Sequence, residues 1–231
     1  MPAPHQPAPA ATRDTPQPSI AAVIFDIGGV LLDWNPRHLY RKLFDDEQAM
    51  ERFLAEVCTL KWHESNDLGV PFDVSCGELA ARHPESADLI WAWGRRSEEM
   101  VAGPIAGTVE ILCELRQRSV RCYALTNMEA ETYPRRLERY EFLRWFDGTV
   151  VSSSEGIAKP DPRIFHLLME RFGLAPETTL LIDDSERNIE AAATLGMQTV
   201  RFQSPEDLRR RLKDVGVLDH GPPRVDGSGP E

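Results

Sequence analysis

The sequence has 231 residues, of which 42% are hydrophobic, and a formal net charge of -11. This composition provides a buried core for one large or two small domains and excludes a disordered polymer. Because 37 acidic residues outnumber 26 Lys and Arg, binding to nucleic acid or to an anionic membrane is disfavoured. No apolar run approaches the ~20 residues of a membrane span, and residues 1–17 lack the apolar block of a secretory signal. We therefore expect a cytoplasmic protein.

The two ends of the chain are rich in proline. Six of the 18 prolines lie within residues 1–18 and three more within residues 217–231, so we expect both tails to be disordered. The four cysteines form no C-x-x-C pair and the six histidines form no H-x-x-x-H pair. The sequence therefore indicates neither a disulfide framework nor a zinc site.

Between the tails, short apolar runs alternate with segments of helical periodicity, which is typical of a parallel α/β sheet. One helix carries explicit boundary signals: Asp161 as N-cap, Pro162 at the first helical position and Gly173 at the end. Such helices pack on a sheet. The predicted buried strands are residues 21–25, 120–126, 148–152, 179–183 and 197–202.

The interval 34–103 interrupts this alternation. It contains several amphipathic stretches and no convincing strand, which predicts an all-helical domain inserted between core segments 19–33 and 104–216. An insertion after the first strand should lie above the carboxyl end of the sheet, where open α/β folds bind their ligands.

An acidic residue and two glycines follow the first predicted strand. Asp26 comes directly after the apolar run, and Gly28 and Gly29 come next. Glycines at this point let the backbone turn sharply and bring its amides close to a bound anion. The alternative is that Asp26 merely starts a loop turn.

A second acidic pair, Asp183 and Asp184, ends the fourth predicted strand. Adjacent carboxylates repel one another at a buried strand end, and Mg²⁺ is the simplest compensation. Asn188 lies one helical turn further on and could hydrogen-bond a ligand carboxylate or water. The alternative is that Asp184 is an ordinary helix N-cap and that Asp183 is solvated.

Two other strand ends complete a phosphate-binding pattern. Thr126 and Asn127 end the second core strand with a hydroxyl and an amide, and Lys159 precedes the helix at Asp161. Each of these is weak alone, because a Thr-Asn pair is common in loops and a lysine is usually solvated. Together, four strand ends supply the groups that bind a phosphoryl group and its metal ion.

In this order the residues resemble the four motifs of the haloacid dehalogenase (HAD) superfamily. Asp26 matches the nucleophile, Thr126 the hydroxyl of the second motif, Lys159 the lysine of the third, and Asp183-Asp184 the acidic fourth motif. The resemblance covers roughly residues 20–215, and the helical insertion resembles the C1 cap of one subgroup. It implies a doubly wound core with strand order 3-2-1-4-5, in which the first and fourth strands are neighbours.

The resemblance also implies roles for these residues. Asp26 would attack phosphorus to give an aspartyl-phosphate, which water then hydrolyses. Mg²⁺ would be held by Asp26, Asp184 and the backbone carbonyl of Gly28, with Asp183 and Asn188 in support. The phosphoryl oxygens would be bound by Thr126, Asn127, Lys159 and the amides of Gly28 and Gly29.

One departure from the family pattern concerns proton transfer. Phosphatases of this superfamily usually carry a second Asp at the position of Gly28, and a positioned acid is worth ~10²–10⁴ in rate. The proton could come from Asp33, His63 or Glu64, or the substrate could have a leaving oxygen that needs less help, such as a sugar 1-phosphate or an acyl phosphate. Alternatively, the protein could be a metal-independent 2-haloacid dehalogenase, since halide departs without a proton.

The paired carboxylates favour Mg²⁺ and a phosphate ester over the dehalogenase alternative. We therefore expect a phosphomonoester hydrolase for a small metabolite of the sugar phosphate class, with a weakly catalytic phosphoryl-binding protein as a further alternative. Substrate contacts are expected at residues 62–69 of the insertion, where His63, Glu64, Asn66 or Asp67 could bond sugar hydroxyls. The alternative there is a core Trp beside a solvated loop. The sequence does not distinguish a monomer from a homodimer.

Overall fold

The computed structural model describes residues 19–218. The predicted tail 1–18 and residues 219–231 of the second tail lie outside this range. Val217 and Leu218, the first two residues of that predicted tail, are buried in the core.

The core is a parallel sheet of five strands in the order β5-β4-β1-β6-β7. Counting only these five strands along the chain, the order is 3-2-1-4-5, as the family resemblance implied. Each predicted core strand agrees with the observed one to within one residue at either end. The strands of the described chain are β1 (Ala22–Phe25), β2 (Leu32–Trp34), β3 (Val101–Pro104), β4 (Arg121–Thr126), β5 (Gly148–Val151), β6 (Thr179–Asp183) and β7 (Gln198–Arg201).

Helices cover both faces of this sheet. On β1, Val23 and Phe25 point to one face and Ala22 and Ile24 to the other, and all four are fully buried. A strand buried on both sides reads as an unbroken apolar run, which is why it could be predicted. The helices are α1 (Arg37–Tyr40), α2 (Glu47–Glu56), α3 (Leu60–Asp67), α4 (Phe72–Arg82), α5 (Ala87–Arg95), α6 (Ala106–Gln117), α7 (Tyr133–Arg139), α8 (Ser152–Glu155), α9 (Pro162–Phe172), α10 (Glu186–Thr194) and α11 (Pro205–Asp214).

The first face packs against α6 and α11, and the second against α9 and α10. The boundary signals of α9 function as predicted: Asp161 accepts the N–H of Arg163 at 2.9 Å, and Gly173 ends the helix at φ 62°. None of the helices within residues 19–218 is long and apolar enough to span a bilayer.

Helices α1–α5 form an insertion with its own apolar core around Trp93 and Tyr40. An antiparallel pair, β2 with β3, joins it to the sheet, with Trp34 opposite Val101. The expectation that residues 34–103 contain no strand is therefore wrong at both boundaries. These strands are only three and four residues long, and β3 contains Gly103 and Pro104, so no local pattern marks them.

Candidate active site

Four polar segments meet at the carboxyl edge of the sheet. Asp26 follows β1, Thr126 ends β4, Asp183 ends β6, and Lys159 lies in the loop before α9. Because β1 lies between β4 and β6, parallel strands bring these ends together at one place.

Lys159 occupies the centre of this group. Its fully buried ammonium donates to the carbonyl of Leu125 at 2.8 Å and to Asp183 Oδ2 at 2.7 Å, and lies 3.0 Å from Asp26 Oδ2. Burial alone would lower the pKa of Lys159, but Asp183 and Asp26 outweigh burial and hold the pKa above its usual value. The ammonium forms two hydrogen bonds and one further ion-pair contact, and the lysine thereby links the nucleophile candidate to the acidic pair.

Asp183 is completely buried and its carboxylate is fully used by neighbours. Besides Lys159, it accepts the backbone N–H of Ser185 at 2.9 Å and the amide of Asn188 at 2.9 and 3.1 Å. The expected support from Asn188 is therefore directed at Asp183. This arrangement orients Lys159 and leaves little of Asp183 to face a ligand.

Among the three carboxylates at this edge, Asp26 and Asp184 are the two whose negative charge is not fully compensated by nearby cations. Asp26 Oδ1 accepts the N–H of Ile27 at 2.6 Å. Burial raises the pKa of Asp26 to about 7 against the lowering effect of Lys159, and the charges of Asp183 and Asp184 add to the rise. Burial, followed by the charge of Asp183, also raises the pKa of Asp184. Raised values at adjoining acids indicate a site that gains from a cation.

The donor set fits Mg²⁺. Carboxylate oxygens of Asp26, Asp183 and Asp184 all lie within 4.8 Å of one another, and hard oxygen donors are what this ion prefers. Gly29 makes the arrangement possible, because its φ is +73° and a Cβ added there would lie 2.5 Å from Asp184 Oδ2. Gly28 lines the same cavity, and its carbonyl stays a predicted ligand.

The end of the site that is predicted to bind phosphate contains a hydroxyl that has no partner within residues 19–218. Thr126 is fully buried, and its Oγ1 has no hydrogen-bond partner within the described chain. Buried polar atoms of this kind are rare in folded proteins, so an oxyanion is a fitting partner. The side chain of Asn127 instead exchanges two hydrogen bonds of 2.9 Å with the backbone of Lys159. It holds the lysine loop in place.

A cavity of about 460 Å³ lies between this edge and the insertion. Of the four insertion residues expected to contact substrate, His63 and Asp67 line it. Glu64 lines a second cavity, which also contains Lys159, and pairs with Lys61 at 2.6 Å. Asn66 lines neither cavity, because its amide donates into the insertion, to Val70 O at 2.8 Å and Ser75 Oγ at 2.7 Å. The expectation that Asn66 contacts substrate is therefore wrong, and Glu64 lies at the second cavity instead of the first.

His63 connects the insertion to the core. The indole N–H of Trp93 donates to its Nδ1 at 3.1 Å, and its Nε2 lies 2.9 Å from Glu129 Oε1. Since an indole nitrogen only donates, Nδ1 is the acceptor and Nε2 carries the proton given to Glu129. Burial raises the pKa of Glu129, but the hydrogen bonds from His63 and Thr132 outweigh burial and lower the pKa to about 2.

A second cation site at this point is disfavoured. His63, Asp67 and Glu129 have ligand atoms within 4.8 Å of one another, but a metal ion needs the Nε2 lone pair. Binding there would move the proton to Nδ1, against the Trp93 donor. Sequence reasoning missed Glu129, although it follows the predicted pair Thr126-Asn127 in the same loop.

The fold and this edge of the sheet define a class of protein: a capped α/β core with clustered carboxylates and a buried lysine at the carboxyl ends of its central strands. The chain belongs to the haloacid dehalogenase-like hydrolase family, whose model matches residues 20–196.

Curated relatives of this chain include several phosphatases. It is 25% identical to the phosphorylated carbohydrates phosphatase of Thermotoga maritima, over 78% of this chain and 83% of that protein. It is 26% identical to the sesquiterpene phosphatase astK of Aspergillus oryzae, over 76% of this chain and 86% of that protein. It is 29% identical to acyl-CoA dehydrogenase family member 10 of Mus musculus over 84% of this chain, which spans only 19% of that longer protein.

Solved structures show the same fold. The HAD family enzyme bt-2542 of Bacteroides thetaiotaomicron, in complex with magnesium and inorganic phosphate, has a TM-score of 0.59 at 22% identity, over 80% of this chain and 96% of that one. The L-2-haloacid dehalogenase of Xanthobacter autotrophicus has a TM-score of 0.59 at 19% identity, over 86% of this chain and 84% of that one. At these identities the likeness establishes the fold alone.

Proposed function

We propose that this hydrolase is a Mg²⁺-dependent phosphomonoesterase that acts on a small phosphorylated metabolite through an aspartyl-phosphate on Asp26. The observation that carries the proposal is that the adjoining carboxyl groups of Asp26 and Asp184 have too few positive partners, so that their pKa values are raised. Beside them, the hydroxyl of Thr126 has no hydrogen-bond partner within the described residues. The first group calls for a divalent cation and the second for an oxyanion. The names of the phosphatase relatives support the same reading.

The residues have distinct tasks in this reaction. Asp26, Asp184 and the Gly28 carbonyl would hold Mg²⁺, which when bound neutralises phosphoryl charge. An oxygen of Asp26 forms the new bond to phosphorus as the ester P–O bond breaks, and the leaving oxygen takes a proton. Water then attacks phosphorus, the Asp26 O–P bond breaks, and phosphate is released.

Lys159 and Thr126 bind the phosphoryl oxygens during both steps. Asp183 and Asn127 fix the head and the backbone of Lys159, so its charge is in position before the substrate arrives. Preorganised donors of this kind stabilise developing charge without reorganisation.

The cavity favours a compact substrate. Its volume of about 460 Å³ accommodates a small metabolite, and its lining mixes apolar side chains such as Trp34 and Leu54 with Arg37 and Glu129. A sugar phosphate, such as a 1-phosphate, fits this mixture of walls and polar groups. The Thermotoga maritima relative, named a phosphorylated carbohydrates phosphatase, points to the same class.

A second candidate is a 2-haloacid dehalogenase, which Gly28 favours because halide departs without a proton. The acidic pair argues against it, since nucleophilic displacement at carbon needs no divalent cation. The two candidates therefore differ in their dependence on metal.

Parallel assays test the proposal: release of phosphate from p-nitrophenyl phosphate with and without Mg²⁺, and release of halide from 2-chloropropionate. We expect metal-dependent phosphate release that Asp26→Asn abolishes. Halide release that resists EDTA would establish the dehalogenase instead. A folded protein that binds inorganic phosphate but turns over no ester in a broad metabolite panel would establish a binding protein.

A further inference from the structure

The proposed reaction lacks a proton donor at the position where this family usually has one. Gly28 has no side chain, yet an alkoxide leaving group requires a proton as the ester bond breaks. The carboxyl groups that line the cavity are therefore the candidates, and they are Asp26, Glu51, Asp67, Glu129 and Asp184.

Four of these carboxyl groups already have another role or a hydrogen-bond partner. Asp26 and Asp184 serve attack and metal binding in the proposed function. Glu51 accepts two hydrogen bonds from Arg37, at 2.5 and 2.6 Å. Glu129 accepts from His63 and Thr132, and its low pKa keeps it ionised and unable to donate.

The donors considered from the sequence fit less well. Asp33 and Glu64 do not line this cavity, and Asp33 pairs with His38 at 3.1 Å on the exposed side of β2. His63 does line it, but its single N–H is given to Glu129 and its other nitrogen accepts from Trp93. Releasing that proton would require both bonds to break.

Asp67 differs from all of these. Its side chain is 13% exposed, its carboxylate forms no hydrogen bond within the described chain, and its contact with the imidazole of His63 is long, at 3.9 Å from Nε2 to Oδ1. It lines both the cavity that contains Asp26 and the adjoining cavity that contains Lys159. A largely buried carboxyl group that forms no hydrogen bond is costly unless a ligand uses it.

The backbone holds this carboxyl group firmly against the core. The carbonyl of Asp67 accepts the hydroxyl of Ser152 at 2.6 Å, and the same hydroxyl accepts the N–H of Met128 at 3.1 Å. The end of α3 is thereby tied to the loop after β4 and to the end of β5. The insertion thus places Asp67 by bonds that do not involve its side chain.

We propose that Asp67 is the catalytic acid and base of this enzyme, an inference that rests on the proposed phosphatase function. In the first step the Asp67 carboxylic acid gives its proton to the ester oxygen as the P–O bond breaks. In the second step the Asp67 carboxylate takes a proton from the water that attacks phosphorus. The acid is regenerated, and the sum is ester plus water giving alcohol plus phosphate.

The electrostatic surroundings suit this role. Burial raises the pKa of Asp67 to about 6 in spite of the lowering charges of His63 and Lys159, and Glu129 and Glu64 add to the rise. A group that titrates near neutral pH can both donate and accept. An exposed Asp would be ionised throughout this range.

The test is a leaving-group series with Asp67→Asn, from 2,4-dinitrophenyl phosphate through p-nitrophenyl phosphate to alkyl phosphates. For the wild type we expect kcat/KM to depend weakly on leaving-group basicity. For Asp67→Asn we expect a loss of ~10²-fold or more on alkyl phosphates and little loss on the dinitrophenyl ester. Asp73→Asn, an exposed carboxyl group on the neighbouring α4, is the matched control and should follow the wild type.

A second variant makes the loss specific. An added Cβ at Gly28 would meet only Trp34 Cβ, at 3.8 Å, so Gly28→Asp is sterically feasible. In the Asp67→Asn background it should return activity toward alkyl phosphates, because it supplies a carboxyl group where related enzymes carry one. This rescue would not follow if Asp67→Asn had damaged the fold.

Two results would overturn the inference and are distinguishable. If wild type hydrolyses the series and Asp67→Asn lowers all esters by one common factor, or none, Asp67 transfers no proton. If wild type hydrolyses no ester, including the dinitrophenyl ester, with Mg²⁺ present, the proposed function itself fails and the role of Asp67 falls with it.

Discussion

The position of Gly29 yields the sharpest test of the metal site. Substitution by Ala places a Cβ 2.5 Å from Asp184 Oδ2, whereas ordinary contacts begin at 3.4 Å. The Asp184 carboxylate must therefore move by about 0.9 Å, the difference between these distances. Since Mg²⁺ requires ligand distances of about 2.0–2.1 Å in near-ideal octahedral geometry, such a shift would withdraw Asp184 from the proposed ion.

The same substitution also strains the backbone, and a control separates the two effects. Gly29 has a φ of +73°, where an L-residue costs roughly 1–2 kcal/mol. Gly173 has a φ of +62° with no atom within 4 Å of an added Cβ, and it lies at the end of α9. Gly29→Ala and Gly173→Ala should therefore lose similar stability, about 2–8 °C in Tm for a domain of this size.

Only Gly29→Ala should lose the metal. We expect its Mg²⁺ dissociation constant, measured by calorimetric titration, to rise at least ~10-fold, which corresponds to about 1.4 kcal/mol. Phosphatase activity should then require correspondingly more Mg²⁺. If Gly29→Ala binds Mg²⁺ within twofold of wild type while its Tm falls like that of Gly173→Ala, Asp184 does not ligate the ion and the reasoning fails.

Three further predictions concern the groups around this ion. Thr126→Val should leave the free energy of unfolding in urea unchanged, because the hydroxyl has no partner in the described chain, but it should weaken phosphate binding in a calorimetric titration. Equal losses of unfolding free energy and of phosphate-binding free energy would contradict this. Lys159→Met should cost about 3–5 kcal/mol in urea unfolding, because it leaves the buried Asp183 carboxylate without its cation; a smaller cost would show that Asn188 suffices. Without metal, the stability of the fold should fall as pH rises from about 4 through about 7, because the folded pKa of Asp26 lies above the unfolded value; thermal melts at each pH test this. The affinity for Mg²⁺ should rise from pH 6 to 8 as Asp26 loses its proton, which calorimetric titrations at each pH test.

The centre of the sheet was predictable because β1, β4 and β6 are buried on both faces. Val23 and Ile24 point to opposite helical layers, so the run is apolar throughout and its end is marked by Asp26. The order of the strands came from the family resemblance, since no local pattern records which strand lies beside which. The short strand β3, with Gly103 and Pro104, is defined only by its distant partner and could not be found locally.

The core side of the site was easier to anticipate than the side supplied by the insertion. Asp26, Lys159 and Asp184 follow strands whose ends must meet, so their proximity is a consequence of topology. The surroundings of His63 and Asn66 depend instead on how one helix packs against its neighbours. Asn66 was expected to face substrate because it is polar, but Val70 and Ser75 provide acceptors inside the insertion.

The charge balance of the site explains how an acidic protein can bind an anion. Within residues 19–218, Lys159 is the cation in contact with Asp26 and Asp183, and Asp183 has the shorter contact, at 2.7 Å. The remaining carboxylates therefore repel each other and retain protons above their usual pKa. A divalent ion would displace the proton that Asp26 retains and would reverse the local sign of charge. Together with the Lys159 ammonium, it would offer a phosphate dianion a positive site within a negative molecule, so metal binding should precede and enable substrate binding.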